Sequence, residues 1–201
     1  MLYIKFEIKN PSKLADFQNL FQHMQETRQD GYQFEDKHGI DNPKEKADPD
    51  WENMTDKDYQ EYFDAILEVK EDTSQLKRYE RFIPEYANGF IESYIAYDKR
   101  VAGGFGYKKM DIFNYLEVDF EVEMDHIEAF NDSTGIVKFS TGNYPFGGME
   151  RFIYTLKAFE LQPIECFDGF AVNELNWETD FVYELVNLPE KTSQYINSLK
   201  N

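Results

Sequence analysis

Leu2, Ile4, Phe6 and Ile8 alternate with Tyr3, Lys5, Glu7 and Lys9 at the start of the chain. A period of two predicts a half-buried strand. Asn10-Pro11-Ser12 then opens a helix, because Leu14, Phe17, Leu20, Phe21 and Met24 recur at three- and four-residue spacing as far as about Gln29. Between residues 30 and 55 the pattern is lost: Gly31, Gly39, Pro43 and Pro49 sit among charges, which predicts a long acidic loop. Thr55 caps a further predicted helix, with Asp58 where a capping-box acid belongs and Tyr59, Tyr62, Phe63, Ile66 and Leu67 on its apolar face. Another helix follows Pro84 and carries Tyr86, Phe90 and Tyr94.

The second half reads mainly as strands. In residues 116–125, Leu116, Val118, Phe120, Val122 and Met124 alternate with acids, which predicts a strand. Residues 135–141 predict a strand, and 147–161 a helix with Met149, Phe152, Ile153, Leu156 and Phe159 inward. Short strands are expected at 163–167, 170–177 and 181–186, with Asp168-Gly169 as a hairpin turn and a polar helix after Pro189. Helices come early, and strands come late with short connections. This order predicts a single α+β domain over residues 1–201: a largely antiparallel sheet of about five to six strands, with helices packed mainly on one face.

Charge narrows the choice of partner. The 201 residues hold 21 Lys and Arg against 39 Asp and Glu, a formal net charge of −18. A phosphate backbone is bound by basic side chains that release counterions, so no nucleic acid partner is expected. The 18 Phe, 14 Tyr and 2 Trp supply a core, because each buried ring removes roughly 150–250 Å² from water. Cys166 is the single cysteine, so no internal disulfide forms and a reducing, cytoplasmic location is expected. No apolar run approaches the roughly 18 residues of a membrane span, so no membrane association is expected.

Five carboxylates, Glu117, Asp119, Glu121, Glu123 and Asp125, fall on one face of the strand predicted at 116–125. Cross-strand pairing with Lys5, Lys9 or Lys138 would neutralise that face. Left free, it would dock a basic protein partner, with Tyr107, Tyr115, Trp177 and Trp51 as aromatic anchors. The function expected is therefore a non-enzymatic cytosolic protein-binding module, an inhibitor or immunity-type protein being one concrete form. The alternative is a small-molecule (anion) binder or enzyme. It would use the glycine-rich turn 141–148, with Thr141, Asn143, Gly147 and Gly148, together with Arg151 and His126.

Motifs for catalysis are thin. H-E-x-x-H, C-x-x-C, the P-loop and G-x-S-x-G are all missing, so no catalytic set, metal or cofactor is expected. His23, beside the apolar stripe of its helix, reads as a partly covered surface residue. Cys166 reads as a small buried strand residue, and no spacing joins it to His126 as a nucleophile–base pair. Asp48, Asp50 and Glu52 alternate as in a calcium loop, but Asn53 stands where an EF-hand needs glycine.

Overall fold

The computed structural model describes residues 1–34, 54–55, 57–58, 73–101, 107–142 and 148–199. Among these residues six strands form one antiparallel sheet: β1 (Leu2–Ile8), β2 (Glu123–Ala129), β3 (Thr134–Ser140), β4 (Leu161–Phe167), β5 (Val172–Trp177) and β6 (Tyr183–Asn187). Their order is β2-β3-β1-β4-β5-β6. The helices bounded within the described residues are α1 (Pro11–Glu26), α2 (Thr73–Phe82), α3 (Glu85–Val101), α4 (Lys109–Asn114), α5 (Glu150–Ala158) and α6 (Pro189–Ser198). This is the expected α+β architecture.

β1 is central, so both of its faces are used. Ile4 and Phe6, fully buried, point into the helical layer. Tyr3 and Lys5 point to the other face, where they meet Glu165 of β4. α1 starts where Asn10 accepts a hydrogen bond from the Ser12 amide at 3.1 Å and Pro11 occupies a position whose N–H would be unpaired in any case. Its stripe of Phe17, Leu20, Phe21 and Met24 is buried. Phe17 packs edge-on against Phe159 and tilted against Phe152 of α5, and Phe152 in turn contacts Phe120 and Phe139. Helices thus cover mainly one face. The exception is α6, whose Tyr195 ring packs on Tyr3 and Phe167 from the other side.

The capping box expected at Thr55 is present. Asp58 accepts from the Thr55 amide at 2.8 Å and the Asp58 amide donates back to the Thr55 hydroxyl at 3.3 Å. The apolar face expected at residues 59–67 lies outside the described residues, as do Trp51, His38 and the Asp48–Glu52 alternation. The hairpin at Asp168-Gly169 also forms. Gly169 takes φ +102°, and the Asp168 carboxylate accepts the amides of Phe170 and Ala171.

One predicted strand is a different structure. Residues 115–119 continue α4 as a single wide turn closed by the Phe120 amide on the Tyr115 carbonyl, and extended chain resumes only at Glu123. Leu116 and Phe120 are buried as expected, but Val118 is 53% exposed and Glu117 only 2%. Arg28 explains the turn. Its five N–H donors reach the carbonyls of Met24, Leu116, Phe120 and Val122 and the Thr27 hydroxyl, at 2.6 to 3.2 Å. A helix end that would otherwise bury unpaired carbonyls is satisfied by one guanidinium.

Candidate functional site

The wide turn breaks up the acidic face expected on one strand. Glu117 turns inward, where Oε1 accepts from His23 Nε2 at 2.7 Å and from Arg78 Nε at 2.8 Å, while Oε2 accepts from Arg78 Nη2 at 3.1 Å. Burial would raise the Glu117 pKa, but the hydrogen bonds from His23 and Arg78 outweigh it and hold the carboxyl below its ordinary value. Glu117 is therefore removed from any docking face. Tyr115, expected as an anchor, is fully buried with its hydroxyl on the Gly148 carbonyl at 2.6 Å. Asp119 is exposed and accepts from Asn114. Trp177 is half-buried at the far end of the sheet, its indole N–H on the Pro163 carbonyl at 2.7 Å. Lys5, considered as a neutraliser of the acidic stretch, instead bonds Glu165 together with Lys191 and Tyr3.

What survives of the acidic stretch surrounds the open edge of β2. Glu121, Glu123 and Glu128 are exposed, and Asp125 is half-buried as the extra residue of a β-bulge between Met124 and His126. Between this strand and α1 runs a groove of about 550 Å³. One wall is a stripe of amides, Gln18, Gln22, Gln25 and Gln29, with Phe21 and Glu26 among them, and the other is Asp125, His126 and Ile127. Gln25 covers part of the strand edge, donating to the carbonyls of Met124 and Asp125. Asp125 Oδ1 accepts from Ser140 at 3.2 Å, whereas Oδ2 is buried with no hydrogen-bond partner among the described residues.

Of the residues proposed with the glycine-rich turn, the described ones lie in separate places. Thr141 donates to the Glu121 carbonyl, Gly148 takes φ +75°, and Asn143 and Gly147 lie outside the described residues. His126 lines the groove beside α1, whereas Arg151 lines a separate groove of about 460 Å³ with Gln75, Tyr107 and Asn114. The Arg151 guanidinium lies 4.0 Å from the Tyr115 ring centre and 5.3 Å from that of Tyr107, with no ion pair among the described residues.

Cys166 is 1% exposed on β4, and burial pushes its thiol up to about 12. Two strands, β1 and β3, separate it from β2 and His126, so the two make no pair. Among the described residues no three His, Cys, Asp or Glu side chains gather to hold a metal ion, and no helix is long and apolar enough to cross a membrane. His23, expected at the surface, is 3% exposed and stacks on Phe82 at 4.1 Å. Arg78, which shares Glu117 with it, lies on α2, a helix that the sequence pattern does not announce. No family model, curated protein or solved structure matches the chain.

Proposed function

We propose that this protein is a non-enzymatic binding module that docks a basic partner protein in the groove between α1 and the edge of β2. The observation that carries the reading is Asp125 Oδ2. A buried carboxylate oxygen without a donor costs roughly 1–3 kcal/mol or more, which a lysine or arginine from a partner would recover after a small side-chain rotation. Glu121, Glu123 and Glu128 at the rim would steer such a partner in, and the net charge of −18 would speed the encounter. The amide stripe on α1 offers donors and acceptors to an extended chain laid along the strand edge. An inhibitor or immunity-type protein acting in the cytoplasm is the concrete form of this reading, and the lone buried Cys166 suits a reducing compartment.

The test is affinity capture from the native host at low and high salt, with the triple variant Glu121→Lys, Glu123→Lys, Asp125→Asn alongside. One basic protein, held at low salt, released at high salt and lost by the variant, supports docking in this groove. A partner that the variant retains with unchanged salt dependence sinks it.

A second reading rests on Arg151. A guanidinium lying over two tyrosine rings, with no ion pair among the described residues, suits a small carboxylate or phosphate, against the opposing charges of Asp111 and Asp119 in the same groove. Inorganic phosphate should then raise the melting temperature of the wild type but not of Arg151→Ala. Equal shifts in both would remove Arg151 from consideration.

A further inference from the structure

A second cavity along α1 shares Gln22 and Glu26 with the docking groove but adds His23, Arg81 and Phe82, which that groove does not use. It measures about 310 Å³ and is lined by Asn19, Gln22, His23, Glu26, Arg81 and Phe82. His23 is 97% covered, clamped flat against Phe82 and near-parallel to Phe113. Glu117 is an acceptor toward Arg78 as well, so His23 Nε2 carries the hydrogen of their 2.7 Å bond. Nδ1 is the remaining polar atom of the ring, and it has no hydrogen-bond partner among the described residues although its ring lines the cavity. A buried imidazole fixed at one nitrogen thus presents the other to a ligand.

The rest of the lining defines that ligand. Glu26 and Arg81 border the same cavity, yet they form no ion pair with each other or with any other described residue. Glu26 accepts only from the Gln22 amide, at 2.9 Å, and the Arg81 guanidinium lies 5.0 Å from the Phe82 ring centre. One negative and one positive group therefore face a common space with an imidazole nitrogen that no described protein group engages and that the cavity leaves open to a ligand. A ligand with a single charge would suit one side and be repelled by the other. We infer that this cavity binds a free α-amino acid, its ammonium shared by Glu26 and His23 Nδ1, its carboxylate on Arg81 and its side chain against Phe82. Glu117 and Arg78 act as positioning residues, holding the imidazole in place without touching the ligand.

The experiment follows the imidazole nitrogens of the full-length chain, labelled with ¹⁵N-histidine, by NMR. L-alanine is the probe, and acetate and ethylamine each carry one half of its charge. The expected result is a saturable shift of His23 Nδ1 with alanine at millimolar concentrations, weakened about tenfold or more in Arg81→Gln and in Glu26→Gln. Both substitutions lie at the cavity rim, and an unchanged backbone amide spectrum will show that they fold. No shift at His23 with alanine overturns the inference. So does acetate acting as well as alanine, which would make this a simple anion site, or a shift unaffected by both variants. Glu26 borders the docking groove too, so the two readings are separated by Arg81→Gln, which lies outside that groove, and by the Asp125 variant, which lies outside this cavity.

Discussion

Arg78 and Glu117 meet as a two-pronged pair, with Nε on Oε1 at 2.8 Å and Nη2 on Oε2 at 3.1 Å, and the carboxylate is almost wholly out of water. Removing the arginine leaves a buried charge shared with His23 alone. Arg78→Met is therefore expected to lower stability by about 3–5 kcal/mol. Replacing both partners, with Glu117→Gln added, should cost less than the sum of the two single changes. Urea unfolding of the two singles and the double gives the coupling directly. Additive losses would show that the pair contributes nothing of its own.

Acid should unfold the protein through two carboxylates. Burial would raise Glu165, but hydrogen bonds from Lys191, Lys5 and Tyr3 outweigh it and hold Glu165, like Glu117, below the ordinary value of 4.5. A carboxyl whose folded pKa is depressed binds fewer protons folded than unfolded. Its stabilisation is complete above that ordinary value and is lost as pH falls below it. Stability measured against pH should drop below about 4.5, and Glu117→Gln and Glu165→Gln should each flatten that drop. An unaltered slope in both would place the acid sensitivity elsewhere.

Arg28 should not tolerate lysine. Burial pulls its guanidinium down to about 10, so it stays charged near neutrality and serves four carbonyls on two segments. An ammonium has three donors and no fork. Arg28→Lys should cost about 2–3 kcal/mol. Amide hydrogen exchange of residues 116–122 should accelerate more than that of β4.

Gly135 sits where any side chain would strike fixed atoms. A Cβ there would lie 2.7 Å from the Phe6 ring and 2.8 Å from the Glu128 carbonyl oxygen. Gly135→Ala should destabilise by about 1–3 kcal/mol, read as a lower melting temperature. Pairing Gly135→Ala with Phe6→Leu should recover part of the loss, since only the ring can yield.

Cys166 should be silent toward thiol reagents while the protein is folded. At 1% exposure, with its thiol pushed up to about 12, it offers neither access nor thiolate. An aromatic disulfide reagent should modify it only at the rate of unfolding, and faster labelling would reveal local opening of β4.

β1, α1 and the strands β3 to β6 were legible because each closes its own pattern locally: alternation, a proline after a capping asparagine, an Asp-Gly turn. Residues 116–125 were not, because Leu116 and Phe120 are buried equally well four apart on a helix as on alternate strand positions. What decides between the two is Arg28, His23 and Arg78, all distant in sequence from the turn they hold. α2 was missed for a related reason. Among its residues only Leu76, Tyr79 and Phe82 are apolar, while Arg78, which also donates to the Ser74 hydroxyl, reaches a buried acid that no local window contains. The same blindness hid His23. A histidine on an apolar stripe looks like a surface residue until the carboxylate that receives it is known. Asp125 was picked out as part of a charged run, but the bulge that turns it into a groove wall is a property of its pairing with β3.

The central place of β1 sets the order in which this chain can assemble. Ile4 pairs with Val137 on one side and with Cys166 on the other. The segment carrying Ile4 and Phe6 leaves the ribosome long before either neighbour exists, with both edges bare and its apolar side uncovered. Contacts so distant along the chain make for slow folding and for early exposure of sticky strand. Until β4 is complete, nothing in the nascent chain can close around β1, and newly made protein should depend on a chaperone far more than its finished form does.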